Sequence, residues 1–374
     1  AWRTPLTDVS EATTIPGPGD APRVSVVVAM FERLERSVAC ARSLAGQTID
    51  RAEVIFVDDG SEDGTPEAVE AIARTSRIPM RVVRNARNLG ANSSRNRGVS
   101  LASAPLVAFL DSDCEADPEW LERLVGPFED DPKLGAASGL VEDACVGNVW
   151  ELAFSGTHRL PRPGPCSRIT SCNLCVRRVL MPAGAWDESR PTRSDGGRPD
   201  TAISARCDEE GLNLAIRAAG WGVESIPAAR VRHFHPYTRR SLLRQAWFGG
   251  CAAAEIVHRY RLGPRRDLGP IALAWLLLGL VLIVGPFTTW WLAALPAAVG
   301  GLAFAAVAWN ELSNKGKTIG GLLRASPALV VYYHVRLAGF TVRRWQLRLG
   351  GDGVERLDRS RLAIGLPEPP EPAA

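Results

Sequence analysis

The sequence lacks the marks of several large protein classes. No G-x-G-x-x-G follows its first apolar run and no G-x-x-x-x-G-K-[ST] occurs anywhere. That argues against a dinucleotide-binding dehydrogenase and against a P-loop NTPase. Eight cysteines scattered over 374 residues are too few for a disulfide scaffold. Cys172 and Cys175 form one C-x-x-C, but neither a second pair nor a histidine partner stands at zinc-site spacing, so free thiols in a reducing compartment are expected. No charge of one sign dominates: the formal net charge is +3, which gives no reason to expect nucleic-acid binding. No internal repeat is visible. Residues 1–22 lack the basic start and apolar core of a signal peptide and are expected to be a flexible lead-in.

What is present is an ordinary globular mixture, 46% hydrophobic and 23% charged, unevenly distributed. A mean hydropathy of −0.03 suggests a soluble protein. Residues 239–350, however, hold 14 Lys or Arg against 3 Asp or Glu, a local charge of +11, and the rest of the chain sums to −8. Inside the basic part, Leu268 to Asn310 is an uncharged run of 43 residues.

Between the ends, apolar runs and amphipathic stretches alternate. Val24-Ser25-Val26-Val27-Val28-Ala29, Ala52 to Val57, Met80 to Val83 and Leu106 to Leu110 read as buried strands. Leu34 to Gln47, Thr65 to Thr75 and Ser93 to Ala102 read as the helices between them, with Pro66 suited to a first turn. This β-α order predicts an α/β fold with a doubly wound parallel sheet. Ligands of such sheets bind beyond the carboxyl ends of the strands. Asp58-Asp59 and Asp111-Ser112-Asp113 both fall at such ends. Carboxylates two residues apart at a strand end can converge on one hard cation, Mg²⁺ or Mn²⁺, which is often shared with substrate phosphates. A lone D-x-D is better explained by an acidic turn, because the motif is short. A second acidic strand end upstream favours the site reading, and a nucleotide held through a metal fits the missing glycine loops.

Ordered motifs then carry a family resemblance. Val24-Ser25-Val26-Val27-Val28 opens the domain. Val57-Asp58-Asp59-Gly60-Ser61 follows with Asp63-Gly64-Thr65, then Asn88-Leu89-Gly90 with Ser94-Arg95-Asn96-Arg97-Gly98, then Phe109-Leu110-Asp111-Ser112-Asp113. Residues 23 to about 260 resemble the inverting family-2 glycosyltransferases with a GT-A (nucleotide-diphospho-sugar transferase, Rossmann-like) fold. The resemblance implies that Asp58 hydrogen-bonds the base of a nucleotide-sugar with Asp59 nearby. It puts Arg95 by the nucleotide and diphosphate, Asp111 on the ribose or metal side, and Asp113 on the metal. It implies a UDP- or GDP-type donor and Mn²⁺ or Mg²⁺ as cofactor. Asn173, in Ile169 to Arg178, matches a polar position between donor and acceptor; a strand-end hydrogen bond is the equal alternative. Cys207-Asp208-Glu209-Glu210 matches the family's acidic pair before a helix, expected here over Leu212 to Ala219. The pair contains the catalytic base, but its order here is Asp-Glu, which leaves Asp208 and Glu209 both open. His233 and His235 match a histidine near the metal or diphosphate, and one of them is equally a packing residue. Arg244-Gln245-Ala246-Trp247-Phe248-Gly249 is similar to the Q-x-x-R-W of processive polysaccharide synthases but departs from it at Phe248 and Gly249. That argues for single-residue transfer, with Gln245 and Trp247 bordering the acceptor.

A membrane span needs roughly 20 apolar residues, so residues 268–310 are long enough for two helices broken near Gly285-Pro286, with Trp290-Trp291 at an interface. Arg259, Arg261, Arg265, Arg266, Lys315 and Lys317 flank the pair and predict a cytoplasmic catalytic domain on a multi-pass membrane protein. The expected organisation is a flexible 1–22, a catalytic 23–240, a basic connecting helix 241–267, spans in 268–310, a basic interfacial or third membrane helix in 311–350, and a disordered tail 351–374. The expected activity is metal-dependent, inverting transfer of a sugar to a lipid-linked or cell-surface glycan acceptor at the bilayer. The alternatives are a processive synthase-like enzyme, an inactive nucleotide-sugar-binding membrane protein, and a soluble Rossmann oxidoreductase.

Overall fold

The structure is a computed structural model that describes residues 21–154, 162–182, 185–186, 208–260, 305, 308–309, 318–349 and 366–370. The first four strands, β1 (Val24–Met30), β2 (Ala52–Asp58), β3 (Met80–Arg84) and β4 (Leu106–Leu110), lie parallel in the order β3-β2-β1-β4. Helices α1 (Leu34–Ala45), α2 (Thr65–Ala73) and α3 (Ala91–Leu101) connect them. Successive side chains of a strand face opposite sides of the sheet, and here both sides are covered. Val24, Val26, Val28 and Met30 pack with Cys40, Ala41 and Leu44 of α1, while Val27 packs with Ile55, Val57, Phe109 and Trp186 on the other face. That double burial is why these strands read as unbroken apolar runs. Gly98 of α3 sits so close to β1 that a Cβ there would lie 2.3 Å from Val27 Cγ1.

Beyond β4 the sheet departs from the parallel expectation. The additional strands are β5 (Cys114–Ala116), β6 (Leu134–Asp143), β7 (Gly164–Pro165), β8 (Asn173–Arg177) and β9 (Gly222–His233). The path continues from β4 through β8, β6 and β9 to β5, with β7 also paired to β9. β8 runs antiparallel to both β4 and β6, and β5 antiparallel to β9. The result is a mixed α/β sheet. The β-α alternation stops after Leu110, so nothing in the local pattern set the direction of the later strands. Short helices α4 (Trp120–Val125) and α5 (Pro127–Asp130) lie between β5 and β6, and α6 (Val149–Phe154) follows β6. Helix α7 (Asp208–Ala218) precedes β9 and starts four residues earlier than expected, so the acidic pair lies in its first turn.

After β9, α8 (Arg239–Arg259) opens on a capping box between Thr238 and Ser241. It packs against a long helix, α9 (Ile319–Arg348). A Cβ on Gly250 would lie 2.0 Å from the Arg336 carbonyl oxygen and one on Gly339 2.4 Å from that of Trp247, so these glycines let the two backbones touch. Within this contact Arg343 Nε donates to Glu255 Oε1 at 2.7 Å, and both residues are buried. Phe154, Tyr237, Leu242, Ala246, Leu329 and Tyr333 form the apolar core joining α6, α8 and α9.

The expected spans, residues 268–310, lie outside the described residues apart from 305, 308 and 309. Among the described residues no helix is long and apolar enough to cross a membrane, and α9, the candidate for an interfacial or third membrane helix, is one of them. Leu366–Pro370, read from sequence as part of a disordered tail, is instead seated against the turn between α7 and β9. Trp221 Nε1 donates to the Pro367 carbonyl at 2.7 Å, and Pro369 lies against Gly220. The seven described cysteines are free thiols; Cys207 lies outside the described residues.

Candidate active site

The carboxyl ends of β1, β2 and β4 converge with the end of β9. The pairing of β5 with β9 sets Cys114 opposite His233, and the pairing of β6 with β9 sets Asp143 opposite the same histidine. His233 is thereby held between two carboxylates. Its Nε2 lies 3.4 Å from Asp113 Oδ1 and its Nδ1 3.7 Å from Asp143 Oδ1. His235 Nδ1 lies 3.3 Å from Asp113 Oδ2, and the two imidazoles stack with centroids 5.6 Å apart. Phe234, between them, fixes the turn by donating its N–H to the Asp113 carbonyl at 2.8 Å. The expected Asp113, His233 and His235 therefore meet at one point.

Burial alone would raise the Asp113 pKa. Hydrogen bonds from His233 and His235, with the charges of His233 and Arg33, overturn that and hold the carboxyl well below the usual carboxylate range. For His233, burial favours the neutral ring, but the bonds to Asp113 and Asp143 raise its pKa well above the ordinary histidine value. Asp113, Cys114 and His233 offer ligand atoms within 4.8 Å of one another, the one such group among the described residues. Burial and the neighbouring Cys172 push the Cys114 thiol far up, so it stays protonated. The usable donors are a carboxylate and imidazole nitrogens, which suit a divalent cation such as Mn²⁺ or Mg²⁺.

Arg95 of α3 donates to Asp111 Oδ1 at 2.8 Å and to Asn92 Oδ1 at 3.2 Å, and its guanidinium lies over the Trp186 ring. Asp111 is one-third exposed, so this pair borders the open side of the site. The Asp58 carboxylate is fully buried and accepts from the N–H groups of Gly60 and Ser61, with Arg84 Nε 3.3 Å away. Asp59, also buried, accepts from Asn85 Nδ2 at 2.8 Å and from the N–H groups of Leu89 and Gly90 at 2.9 and 2.7 Å. The Asp58-Asp59 pair thus ties the β2–α2 turn to the Asn88-Leu89-Gly90 loop, which links the second and third motifs physically.

Glu209 stands in the first turn of α7 with its Oε2 buried. Of Asp208 only the backbone is described. On α8, Trp247 is 37% exposed, and Gln245 Oε1 is buried with no hydrogen-bond partner among the described residues. Asn173 is turned into the protein interior. It is fully buried, its Oδ1 accepts from Trp120 Nε1 at 2.8 Å, and its Nδ2 donates to the Leu140 and Ala229 carbonyls at 2.9 and 3.0 Å. These are hydrogen bonds of the strand-end kind: the amide bridges β8, β6 and β9 at the Gly139–Leu140 irregularity.

Arg33 was missed by sequence reasoning. Its NH1 lies 2.5 Å from Asp113 Oδ2, and its backbone is left-handed with φ 61°. An arginine directly after the first strand, on the ligand-binding side of the sheet, was the available signal. Trp186 was missed as well; it lies far from the motifs in sequence and reaches Arg95 through its mutual bonds with Asn96.

Residues 25–169 match the family model described as Glycosyl transferase family 2. That family-2 segment contains both acidic strand ends and the Asn88 to Gly98 motif. Glycosyltransferase AglE of Haloferax volcanii is 33% identical over 130 residues, which covers 34% of this chain and 40% of that protein. Polypeptide N-acetylgalactosaminyltransferase 16 of Homo sapiens is 27% identical over 239 residues, covering 58% and 42%. The chain spans less than half the length of either relative. Among solved structures, the mannosyltransferase PcManGT from Pyrobaculum calidifontis, in complex with GDP-Man and Mn²⁺, aligns at a TM-score of 0.49. It is 20% identical, with 88% of this chain and 89% of that one covered. The family-2 match and the curated relatives together support a glycosyltransferase.

Proposed function

We propose that this chain is a metal-dependent glycosyltransferase. It moves a sugar, with inversion, from a nucleoside-diphosphate donor of the UDP or GDP type to a lipid-linked or glycan acceptor at a membrane. The observation that carries the reading is the buried Asp113 carboxylate, kept ionised at the carboxyl end of the parallel strands and faced by two imidazoles. A cation held by Asp113 with His233 or His235 would offset the charge on the departing nucleoside diphosphate. The remaining work falls to this chain's own groups. Arg95, steadied by Asp111 and stacked on Trp186, presents guanidinium N–H groups at the open side, where phosphate oxygens would lie. The Asp58-Asp59 cross-ties hold the loop that frames the nucleotide. Glu209 or Asp208, at the start of α7, takes the proton from the acceptor hydroxyl as it attacks the anomeric carbon.

Membrane attachment rests on the 43-residue uncharged run and the basic residues that flank it, with the catalytic domain on the cytoplasmic side. The experiment is a panel of UDP- and GDP-sugars with membranes from expressing cells and Mn²⁺, scored for nucleoside-diphosphate release and for the anomeric configuration of the product. Release with one donor, abolished by Asp113→Ala, supports the reading. No release with any donor sinks it, and a retained anomeric configuration sinks direct displacement.

A further inference from the structure

The Asp113 carboxylate already has a cation: Arg33 NH1, 2.5 Å from Oδ2. The two partners differ in exposure and anchoring. The Asp113 side chain is 7% exposed and pinned by His233 and His235, whereas Arg33 is 51% exposed and reaches in from solvent. The arginine can leave and the aspartate cannot.

The backbone that aims Arg33 is unusual. Glu32 and Arg33 have φ 54° and 61°, the only non-glycine residues with positive φ among the described residues. Such a conformation costs on the order of 1 kcal/mol per residue and persists only where its surroundings hold it. Here the β2–α2 loop holds it. Ser61 Oγ accepts from the Glu32 N–H at 2.7 Å, Asp63 Oδ2 accepts from the Leu34 N–H at 3.1 Å, and the Arg33 carbonyl caps the first turn of α1. The same loop is the one organised by Asp58.

We infer that Arg33 is a built-in counter-cation that competes with the divalent metal for Asp113 Oδ2 and is released when a donor diphosphate arrives. This inference rests on the metal-site reading above. While Arg33 holds Oδ2, a cation binding alone must displace it. When a diphosphate is present, the displaced guanidinium gains phosphate oxygens, for which its planar fork is well matched. Metal and nucleotide therefore bind with positive coupling, and the coupling is reciprocal. Half-exposure of Arg33 puts the effect near the low end of such couplings, about fivefold.

The test is Mn²⁺ binding to the full chain, followed by the electron paramagnetic resonance signal of free Mn²⁺, with and without UDP or GDP. Arg33→Ala and Arg33→Gln, the latter uncharged but still hydrogen-bonding, are each expected to bind Mn²⁺ alone about fivefold more tightly. Both should lose most of the tightening that the nucleotide gives the wild type, while Arg33→Lys stays close to wild type. If Mn²⁺ binding depends on Asp113, as Asp113→Asn reports, but both neutral variants bind it no more tightly than wild type, the inference fails and the metal site stands. If Mn²⁺ binding is indifferent to Asp113→Asn as well, the metal site fails and the inference fails with it.

Discussion

Asn173→Ala should cost about 3–5 kcal/mol of stability, and the figure follows from three named bonds. Truncation removes the acceptor of the Trp120 indole N–H and the donor to the carbonyls of Leu140 and Ala229, all in a fully buried place. Each buried group left without a partner costs about 1–3 kcal/mol, and water entering the gap recovers part of the sum. Asn173→Asp keeps the acceptor for Trp120 but turns a second oxygen toward two carbonyls. The new carboxyl must stay protonated to donate there, so its folded-state pKa is raised above the unfolded value. Its stabilising protonated form is therefore present at low pH and lost as pH rises. The assay is urea unfolding of both variants at pH 5 and pH 8, reading the midpoint at unchanged m. A loss under about 1 kcal/mol for Asn173→Ala would refute the structural assignment. So would a raised acceptor KM at full stability.

Glu209→Gln should lower kcat by about 100-fold or more with donor binding unchanged; Asp208→Asn as the stronger lesion would transfer the base role one residue back. In the metal-free protein, the Asp113 contribution to stability is present above about pH 3.9 and lost as pH falls through its depressed value, while the His233 contribution is full below about pH 6.5 and lost as pH rises through its raised one. If His233 is a ligand its ring must be neutral, so Mn²⁺ affinity should rise with pH by up to about tenfold per unit, checked by titrations from pH 6 to 8. Gly250→Ala puts a methyl against the Arg336 carbonyl and should lower stability by about 1–3 kcal/mol, read by thermal unfolding, without changing donor affinity.

The parallel half of the sheet was legible because its strands are buried on both faces and its helices repeat between them. The two acidic strand ends followed from the same order, since a parallel sheet sends every carboxyl end to one side. The antiparallel half was not legible. The pairing of β8 with β4 and β6 depends on contacts such as Arg177 with the Leu134 carbonyl, far apart in the chain. Asn173 shows the limit most plainly. An asparagine at a strand end looks the same in sequence whether it faces a substrate or an indole, and only the third dimension brought Trp120 to it. Arg33 was illegible for a related reason: its role depends on a left-handed backbone that two ordinary residues, Glu32 and Arg33, adopt only because a loop from the next strand enforces it.

The seat of Leu366–Pro370 on Trp221 makes the α/β body the receptor for its own chain. A segment joined covalently to its receptor samples it at an effective concentration on the order of millimolar, so this contact can persist with almost no intrinsic affinity. The five residues supplied as a free peptide would compete poorly, whereas cutting the chain between α9 and Leu366 would release them. Trp221 Nε1 would then lose its acceptor to water, and the indole fluorescence would record the event.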